Sequence, residues 1–500
     1  MKNKQITLGA ILSYSSILLN ICAGLLYTPW MVGQIGESDY GLYTLANSLI
    51  ALFLVDFGLS VATSRFISKY VAEGRFEKAN TCLGVIYKLY LIIDVVLCAV
   101  FLVVFFFLEH IYVSLSPEEL QKFKVVYCIA AGFAVINFPF VPMNGILTAH
   151  EKFIQLKSAD IIHRILSISL TILALYNGMG LYALVAANAI SGLAILVYKY
   201  WMIRRCTPTR AVFETSDRSL YRSIFSFSIW VTMDSLASRL FFAVTPTILG
   251  VVSNSTQIAV FGIVSAIEGY CYMFTTAING MFMPKISRIY SKDPDGGALE
   301  PLMIKVGRFQ FATNGLIIVG FAVLGNLFVK LWMGETFLNA YYGVLLVILP
   351  GLFFNSLQVA NTAIAVQNKV KEQALIAVIC GLINVAVSFA VSYYLGAIGA
   401  CLAIFISYTI RAILYHIVHK KVLHIDIWRF IKECYLKMFP PLLITLLAGF
   451  CINHLIPDFG WISFIVKGIL LVVVYLILLL SLGLTKEERV AITRYFKKQH

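Results

Sequence analysis

Residues 91–108 read LIIDVVLCAVFLVVFFFL, a run of eighteen residues in which Asp94 is the single charged side chain. A run of this length and composition can cross the hydrocarbon core of a bilayer as a helix. Comparable runs recur along all 500 residues, of which 60% are hydrophobic and 13% charged, against roughly 25% charged in a typical soluble domain. The sequence therefore predicts a polytopic, all-α membrane protein.

The apolar runs and the polar breaks between them predict about fourteen transmembrane helices. Their approximate bounds are 7–30, 39–63, 79–108, 123–148, 158–176, 180–201, 220–250, 256–283, 306–329, 338–366, 373–394, 396–418, 438–455 and 461–483. The first run lacks a small-residue cleavage site, so we expect it to stay in the mature protein. The ten cysteines stand singly and indicate neither a disulfide framework nor a zinc site.

Positive charge is concentrated on one side of the predicted topology. The net charge of +14 would also suit a nucleic-acid-binding protein, but the basic residues lie in short loops between spans, which is typical of cytoplasmic loops. With the N-terminus inside, 32 of the 39 Lys and Arg residues fall in inner loops, Arg308 and Arg411 among them, and three in outer loops. This skew predicts that both termini are cytoplasmic and that nucleic acid is not a partner.

Short sequence patterns repeat at nearly one offset. Thr28-Pro29-x-x-x-Gly33 matches Thr245-Pro246-x-x-x-Gly250, and Asn144 to Lys152 matches Asn361 to Lys369, both at an offset of 217. Weaker matches join Gly180 and Ser191 to Gly396 and Ser407, and 64–70 to 284–290. Because six helices bring the chain back to the same side, the repeat is parallel, as in many transporters.

The repeat predicts the domain organisation. We expect an N-terminal six-helix lobe at 1–208, a second lobe at 209–425, two further helices at 426–485 and a cytoplasmic tail at 486–500. Two such lobes leave a central cavity, and rocking of one against the other would expose that cavity alternately to each side. The basic stretch 203–219 is the expected hinge linker.

One N-terminal segment resembles a known family. Gly36-Glu-Ser-Asp-Tyr-Gly-Leu-Tyr43, followed by Val55-Asp-Phe-Gly-Leu-Ser60 and Arg65, is similar to the start of polysaccharide transporters and O-antigen flippases. These belong to the multidrug/oligosaccharidyl-lipid/polysaccharide exporter superfamily. The lipid II flippase branch carries an arginine cluster in helices one and two, whereas the first span here has no charge, so that branch is disfavoured.

The resemblance implies a function. The chain would be a flippase in the bacterial inner membrane that carries undecaprenyl-diphosphate-linked oligosaccharides to the outer leaflet by alternating access. The cargo would serve O-antigen, capsule or exopolysaccharide assembly, with a proton or sodium counter-ion and glycan polymerase or assembly proteins as further partners. A cation-coupled multidrug or small-solute antiporter of the same superfamily is the alternative. Neither catalytic residues nor a cofactor or metal is expected, because no acid–base constellation or large outer loop is present.

Ionisable residues at membrane depth are costly and mark functional candidates. Arg239 is predicted to contact the diphosphate, because a guanidinium grips phosphate bidentately; a buried pair with Asp234 or Glu268 is the alternative. Asp160 and Arg164 are spaced for an ion pair on one helix face. The remaining candidates for the cavity are Lys88, which could instead snorkel, and Arg164 itself.

Carboxylates within the spans have two possible roles. Each could bind a coupling ion or pair with a basic residue, and pairing is favoured. The candidates are Glu268, Asp234, Asp56 and Asp94. Pro29 and Pro246 occupy matching positions of helices one and seven, where proline removes a backbone hydrogen bond. Those two helices are expected to kink there, either as hinges or to shape the cavity.

Overall fold

The computed structural model describes residues 2–213, 218–276, 286, 289, 299–367 and 369–484. Within it the chain is 89% helical and contains no strand, which confirms the predicted all-α polytopic fold. Four predicted features fall partly or wholly outside the described residues: most of the repeat match at 284–290, residues 214–217 of the linker at 203–219, the end of the span at 256–283, and the tail at 486–500.

The helices follow the apolar runs closely. In chain order they are α1 (Lys2–Ile35), α2 (Glu37–Phe53), α3 (Leu59–Ala72), α4 (Phe76–Ile111), α5 (Pro117–Asn137), α6 (Pro142–Ala149), α7 (Phe153–Tyr176), α8 (Gly180–Cys206), α9 (Arg218–Phe241), α10 (Val244–Val252), α11 (Ser255–Thr276), α12 (Leu299–Met333), α13 (Asn339–Ile348), α14 (Gly351–Phe354), α15 (Gln358–Val366), α16 (Lys371–Leu423), α17 (Ile427–Phe430), α18 (Lys437–Leu455) and α19 (Trp461–Leu478).

Twelve helical segments of the described residues are long and apolar enough to cross a membrane. The protein is therefore a multi-pass membrane protein. The number is two below the fourteen predicted crossings, and each difference has a local reason. The second is split into α2 and α3, and neither piece is long enough alone. The eleventh and twelfth run together as α16, which reverses at Gly396, where φ is 56° and ψ is −134°.

The helices group into two compact units. Unit 1 comprises Met1–Gly262 and Ala377–Ala400, and unit 2 comprises Ile263–Ile376 and Cys401–His500. These units describe which helices touch in this conformation, whereas the predicted lobes, 1–208 and 209–425, describe the repeat in the sequence. The lobe boundaries therefore stay a prediction.

In unit 1 the helices of the first half pack closely on one another. Helix α7 lies between α1 and α8, α2 packs on α5, and α3 packs on α6 and α4. The segment that follows α8 is docked rather than hanging between helices. Asn80 on α4 accepts the backbone N–H of Arg210 on its side chain (2.7 Å) and that of Val212 on its carbonyl oxygen (3.2 Å). The first part of the predicted hinge linker is thus anchored to α4.

In unit 2 a buried arginine joins three helices. Arg308 on α12 is 3% exposed and donates to the carbonyl oxygens of Glu433 (2.8 Å) and Gly483 (2.6 Å). Both acceptors lie in π-helical turns, at Ile431–Leu436 and Leu479–Gly483. Because the altered register of a π-helical turn leaves carbonyl oxygens in need of donors, Arg308 stabilises α18 and α19 against α12. Its assignment to an inner loop was wrong, since a basic residue at the edge of an apolar run can also lie inside the helix.

Candidate functional site

The second crossing is interrupted inside unit 1. Between α2 and α3 the chain turns through 54–58, where Phe57 and Gly58 adopt left-handed φ angles of 50° and 67°. The N–H of Gly58 donates to Oδ1 of Asp56 (3.1 Å), a local turn that aspartate favours. The end of α2 leaves its last carbonyl oxygens without intrahelical donors, so this break needs a partner from elsewhere.

Arg239 supplies that partner. From α9 its Nη2 donates to the carbonyl oxygen of Leu54 at 2.6 Å, and Asp56 is a neighbouring opposite charge. A cation at a helix C-terminus is favourable because the carbonyl groups carry partial negative charge. Its Nε is buried and has no hydrogen-bond partner in the described part of the chain. The hydrogen bond of Arg239 is therefore made to the α2 break, and its pairing with Asp234, which is exposed on α9, or with Glu268 stays a prediction.

Helix α4 brings three further polar side chains into unit 1. Tyr90 is fully buried, its ring packs on Phe138 with a centroid distance of 5.1 Å, and Asp56 is close enough to interact with it electrostatically. One turn further along, Asp94 is half-buried, and Lys88 is half-buried on the same helix. Neither the Tyr90 hydroxyl nor Oδ1 of Asp94 has a partner within the described residues. Buried polar atoms without partners require an explanation such as water, an ion or a ligand.

Arg164 lies in a second polar group of unit 1. It is half-buried on α7 and interacts electrostatically with Tyr27 on α1 and Tyr43 on α2. The side-chain amide of Asn188 donates to the Tyr43 hydroxyl (3.4 Å). The ion pair of Asp160 is made with Lys157 (3.2 Å), so its partner lies three residues before it and not four residues after it. Arg164 therefore does not form the ion pair with Asp160 that the sequence favoured.

Glu268 belongs to unit 2. It is half-buried on α11 and interacts electrostatically with Tyr408 and Cys271. Near Tyr408 lies Arg411, which is 6% exposed, so its assignment to an inner loop was also wrong. The Arg411 guanidinium stacks on the rings of Phe354 (4.8 Å), Tyr415 (5.1 Å) and Tyr408 (5.8 Å). Aromatic residues three before and four after an arginine are the signal that could have indicated this cation–π group.

The two symmetric prolines differ in their surroundings. Pro29 lies inside α1, which continues to Ile35, and Pro246 lies in the first turn of α10, directly after the interruption that follows Phe241. Proline is tolerated in a first helical turn because its missing N–H has no intrahelical acceptor there. Of these two prolines, Pro246 lies beside an interruption of its crossing, whereas the helix continues through Pro29.

A cluster of hydroxyls and one carboxylate joins both halves of the sequence within unit 1; we call it the serine–glutamate cluster (Ser38, Ser116, Glu119 and Ser255). Oε1 of Glu119 accepts hydrogen bonds from Ser38 of α2 (2.6 Å) and from Ser255 of α11, and Oε2 accepts the N–H of Ser116 (3.0 Å). Beside it Lys122 pairs with Asp39 (3.3 Å). The cluster thereby holds α2, α5 and α11 together at one end of unit 1.

Glycine permits the close approach at this end. A Cβ at Gly41 would overlap the carbonyl oxygen of Ser255, and one at Gly250 would lie 2.9 Å from the ring of Tyr112. The hydroxyl of Ser114 donates to the carbonyl oxygen of Gly250. At Gly41 backbone therefore packs against backbone, at Gly250 backbone packs against a ring, and one added methyl group would crowd either contact.

Comparison with known proteins shows similarity over the whole chain. Residues 6–290 match the family model described as Polysaccharide biosynthesis protein. The chain is 22% identical to the uncharacterized membrane protein EpsK of Bacillus subtilis (strain 168), over 99% of this chain and 98% of that protein. An uncharacterized membrane protein of Methanocaldococcus jannaschii, MJ1068, is 25% identical over 40% of this chain and 41% of its own length.

Among solved structures the fold is shared with transporters. The lipid II flippase MurJ in an inward closed conformation has a TM-score of 0.75 at 17% identity and covers 94% of this chain and 98% of its own. An inward-facing multidrug resistance MATE family transporter of the MOP superfamily has a TM-score of 0.70 at 14% identity, over 83% of this chain and 98% of its own.

Proposed function

The chain belongs to the polysaccharide biosynthesis protein family, and we propose that it flips undecaprenyl-diphosphate-linked oligosaccharides from the cytoplasmic to the outer leaflet of a bacterial inner membrane. The family and the fold are those of transporters. The observation that carries the proposal is the position of Arg239, a half-buried cation at the break within the second predicted crossing.

Arg239 is suited to hold the diphosphate. Its Nη2 is occupied by one neutral carbonyl oxygen, and its Nε has no partner among the described residues. Charge-assisted bonds to a phosphate are about twice as strong as those to neutral acceptors, and a guanidinium offers two parallel donors. In this proposal the diphosphate replaces or extends the bond to Leu54, and Lys88 and Arg164 add positive charge along the path.

The polar group around Arg164 is suited to the glycan. Hydroxyls and amides of Tyr27, Tyr43, Thr171 and Asn188 lie together in unit 1. Such groups both donate and accept hydrogen bonds, as sugar hydroxyls do. We assign the sugar to this group because the lipid anchor requires an apolar environment and the diphosphate a cation.

The serine–glutamate cluster supports alternating access. Ser255 and Gly250 come from the second half of the sequence and contact α2 and α5 of the first half. With both termini cytoplasmic, this end faces outward, and the contacts close the outer side. Release of cargo to the outer leaflet then requires the bonds of Glu119 and the packing at Gly41 to break.

Transport against a gradient requires an energy source. We assign Asp56, Asp94 and Glu268 as the candidates that bind a proton or a sodium ion, because carboxylates within membrane spans serve in ion pathways and proton relays. Oδ1 of Asp94 has no partner among the described residues and is the first to test.

Proteoliposomes provide the test. The purified chain would be reconstituted with a polyprenyl-diphosphate oligosaccharide, and the glycan exposed on each leaflet would be scored with an impermeant glycosidase. We expect transfer to depend on the protein and to fail with Arg239→Ala. Transfer equal to protein-free vesicles, together with cation-driven efflux of a drug dye, would instead indicate the antiporter.

A further inference from the structure

An apolar groove on unit 2 lies apart from the residues assigned to cargo. Its volume is about 560 Å³, within the usual range of ligand sites, roughly 300–1,000 Å³. Three stretches of the chain line it: the turn from α13 into α14 at Pro350 and Phe353, the face of α16 that carries Thr409, Ile413 and His416, and the segment from Trp428 to Tyr435. All three belong to unit 2.

The local backbone explains why the groove exists. Pro350 separates α13 from α14 because it cannot supply a helical N–H. Opposite, the π-helical turn Ile431–Leu436 displaces the side chains that follow α17. Thr409 is small and folds its hydroxyl back onto the carbonyl oxygen of Phe405 (2.7 Å), so it neither fills the groove nor offers it a free polar group.

The polar side chains of the groove are satisfied within the protein. Nδ1 of His416 donates to the carbonyl oxygen of Ala412 (2.7 Å), which leaves Nε2 of the neutral ring to accept from the Tyr435 hydroxyl (3.0 Å). Ser356 bonds to the same hydroxyl (2.9 Å). The surface that the groove offers to an occupant is therefore hydrocarbon. Two residues at the edge of the groove are exposed, Ile413 by 58% and Trp428 by 76%.

One end of the groove is basic. Lys420 and Lys421 follow Ile417 by one helical turn, and Arg429 and Lys432 accompany Trp428. Lys421 and Arg429 pair with Glu372 (3.5 Å) and Glu300 (3.0 Å). Lys420 and Lys432 are exposed and form no ion pair in the part of the chain that the structure describes. A tryptophan beside basic residues is typical of the membrane interface, where phosphate headgroups lie.

We propose that this groove binds an anionic phospholipid of the bilayer, with an acyl chain between Pro350, Thr409 and Ile431 and the phosphate against Lys420 and Lys432. In a membrane protein an exposed apolar groove is filled by hydrocarbon, because only lipid is available there. Charge complementarity selects an anionic headgroup. The bound lipid joins α16 to the segment before α18 and so stabilises unit 2. The proposal does not depend on the cargo.

Native mass spectrometry of the detergent-purified chain tests it. We expect phosphatidylglycerol to be retained over phosphatidylethanolamine, and Thr409→Phe to abolish retention by filling the groove. Thr313→Phe is the matched control, because Thr313 makes the same bond to the carbonyl oxygen four residues earlier (2.9 Å) and does not line the groove. Lys420→Gln and Lys432→Gln should each weaken binding about fivefold, as expected for one basic residue near an anionic surface.

A second measurement covers the case in which Thr409→Phe does not fold. Phosphatidylglycerol with brominated acyl chains should quench the fluorescence of Trp428, scored as the difference between the natural chain and Trp428→Phe. Brominated phosphatidylcholine should quench it less. Any one of three results would overturn the proposal. These are equal quenching of Trp428 by both lipids, equal phosphatidylglycerol retention in Thr409→Phe and Thr313→Phe, and retention of a polyprenyl phosphate in place of phospholipid.

Discussion

Arg239 and Leu54 are 185 positions apart in the chain, yet Nη2 of the arginine donates a hydrogen bond of 2.6 Å to the carbonyl oxygen of the leucine. The bond joins α9 to the end of α2 at the break before α3. Because the acceptor is a backbone group at a helix terminus, the arginine stabilises the break and keeps its positive charge for an anion. One side chain therefore serves the structure and, in our proposal, the cargo.

Substitution of Arg239 should separate these two roles. A hydrogen bond to a charged group contributes about 1.5–3 kcal/mol, so loss of the diphosphate contact should lower transport roughly tenfold or more. We expect Arg239→Ala to lose transport and Arg239→Lys, a single point charge, to retain a fraction of it. Arg75→Ala, which removes only an exposed pair with Glu73, is the control. Full transport by both Arg239 variants would contradict the assignment.

Gly41→Ala should impair the end of unit 1 that we propose to be the closed outer end. A Cβ there would overlap the carbonyl oxygen of Ser255, whereas Gly132 has no atom within 4 Å of an added Cβ. Alanine normally stabilises a helix relative to glycine by about 0.5–1 kcal/mol, so Gly132→Ala should be neutral or stabilising. We expect Gly41→Ala to slow transport and to increase labelling of a cysteine at Ser255 by an impermeant thiol reagent. Equal labelling of the two glycine variants would argue against a gate.

Glu119→Gln should loosen the same end by a different route. The carboxylate accepts three hydrogen bonds, from Ser38, Ser255 and the N–H of Ser116. An amide has one oxygen, and its NH₂ group cannot accept. The variant should expose the outer end more often, seen as faster labelling at Ser255→Cys. Glu118→Gln, which removes only an exposed pair with Lys122 (3.5 Å), should label as the unmodified chain does.

Arg308→Met should destabilise the protein without touching the proposed cargo path. It would leave the carbonyl oxygens of Glu433 and Gly483 without this donor, at about 1–3 kcal/mol for each buried unsatisfied group. Thermal unfolding in detergent should show a lower midpoint. Lys305→Met changes an exposed residue of the same helix and should leave the midpoint unchanged. An unchanged midpoint for Arg308→Met would contradict the role of this residue in holding α18 and α19.

Acid should weaken the loop between α6 and α7. Burial, and secondarily the charge of Lys152, lowers the pKa of His150, whose Nε2 bonds to Thr209 (2.7 Å). A histidine with a lowered folded-state pKa binds its proton more readily when unfolded, so stability is present above the unfolded pKa, about 6.5. That stability is lost as the pH falls through the lower folded pKa.

The measurement is the unfolding midpoint between about pH 7.5 and about pH 5.5, a range that spans the usual imidazole pKa. The midpoint of the unmodified chain should fall with pH, and that of His150→Gln should fall less. His454→Gln, at an exposed residue, should follow the unmodified chain. Identical profiles for all three chains would show that His150 does not contribute.

Hydropathy was enough to predict the helices because each crossing must satisfy its own backbone inside the bilayer. It could not locate the break at 54–58, since an interrupted helix has the same apolar composition as a continuous one. Asp56-Phe57-Gly58 is a turn signal, but its use depends on Arg239, which lies far away in sequence.

Charge counting failed for two arginines at the ends of apolar runs. Arg308 and Arg411 stand where an apolar run meets a basic loop, so the sequence placed them outside the membrane. Their burial depends on tertiary contacts, which a hydropathy profile cannot predict. Arg308 donates to two carbonyl oxygens in π-helical turns, and Arg411 stacks on three aromatic rings. Likewise, Asp160 has basic residues on both sides, and spacing alone could not choose between Lys157 and Arg164.

The central claim is that this protein flips a lipid-linked glycan, and depletion of the protein in its own host tests it most directly. Lipids would be extracted after depletion, identified by mass spectrometry and scored for leaflet exposure. We expect an undecaprenyl-diphosphate oligosaccharide to accumulate on the cytoplasmic leaflet, with a mass that identifies the cargo. No accumulation of any such lipid, together with increased sensitivity to toxic cations, would contradict the account.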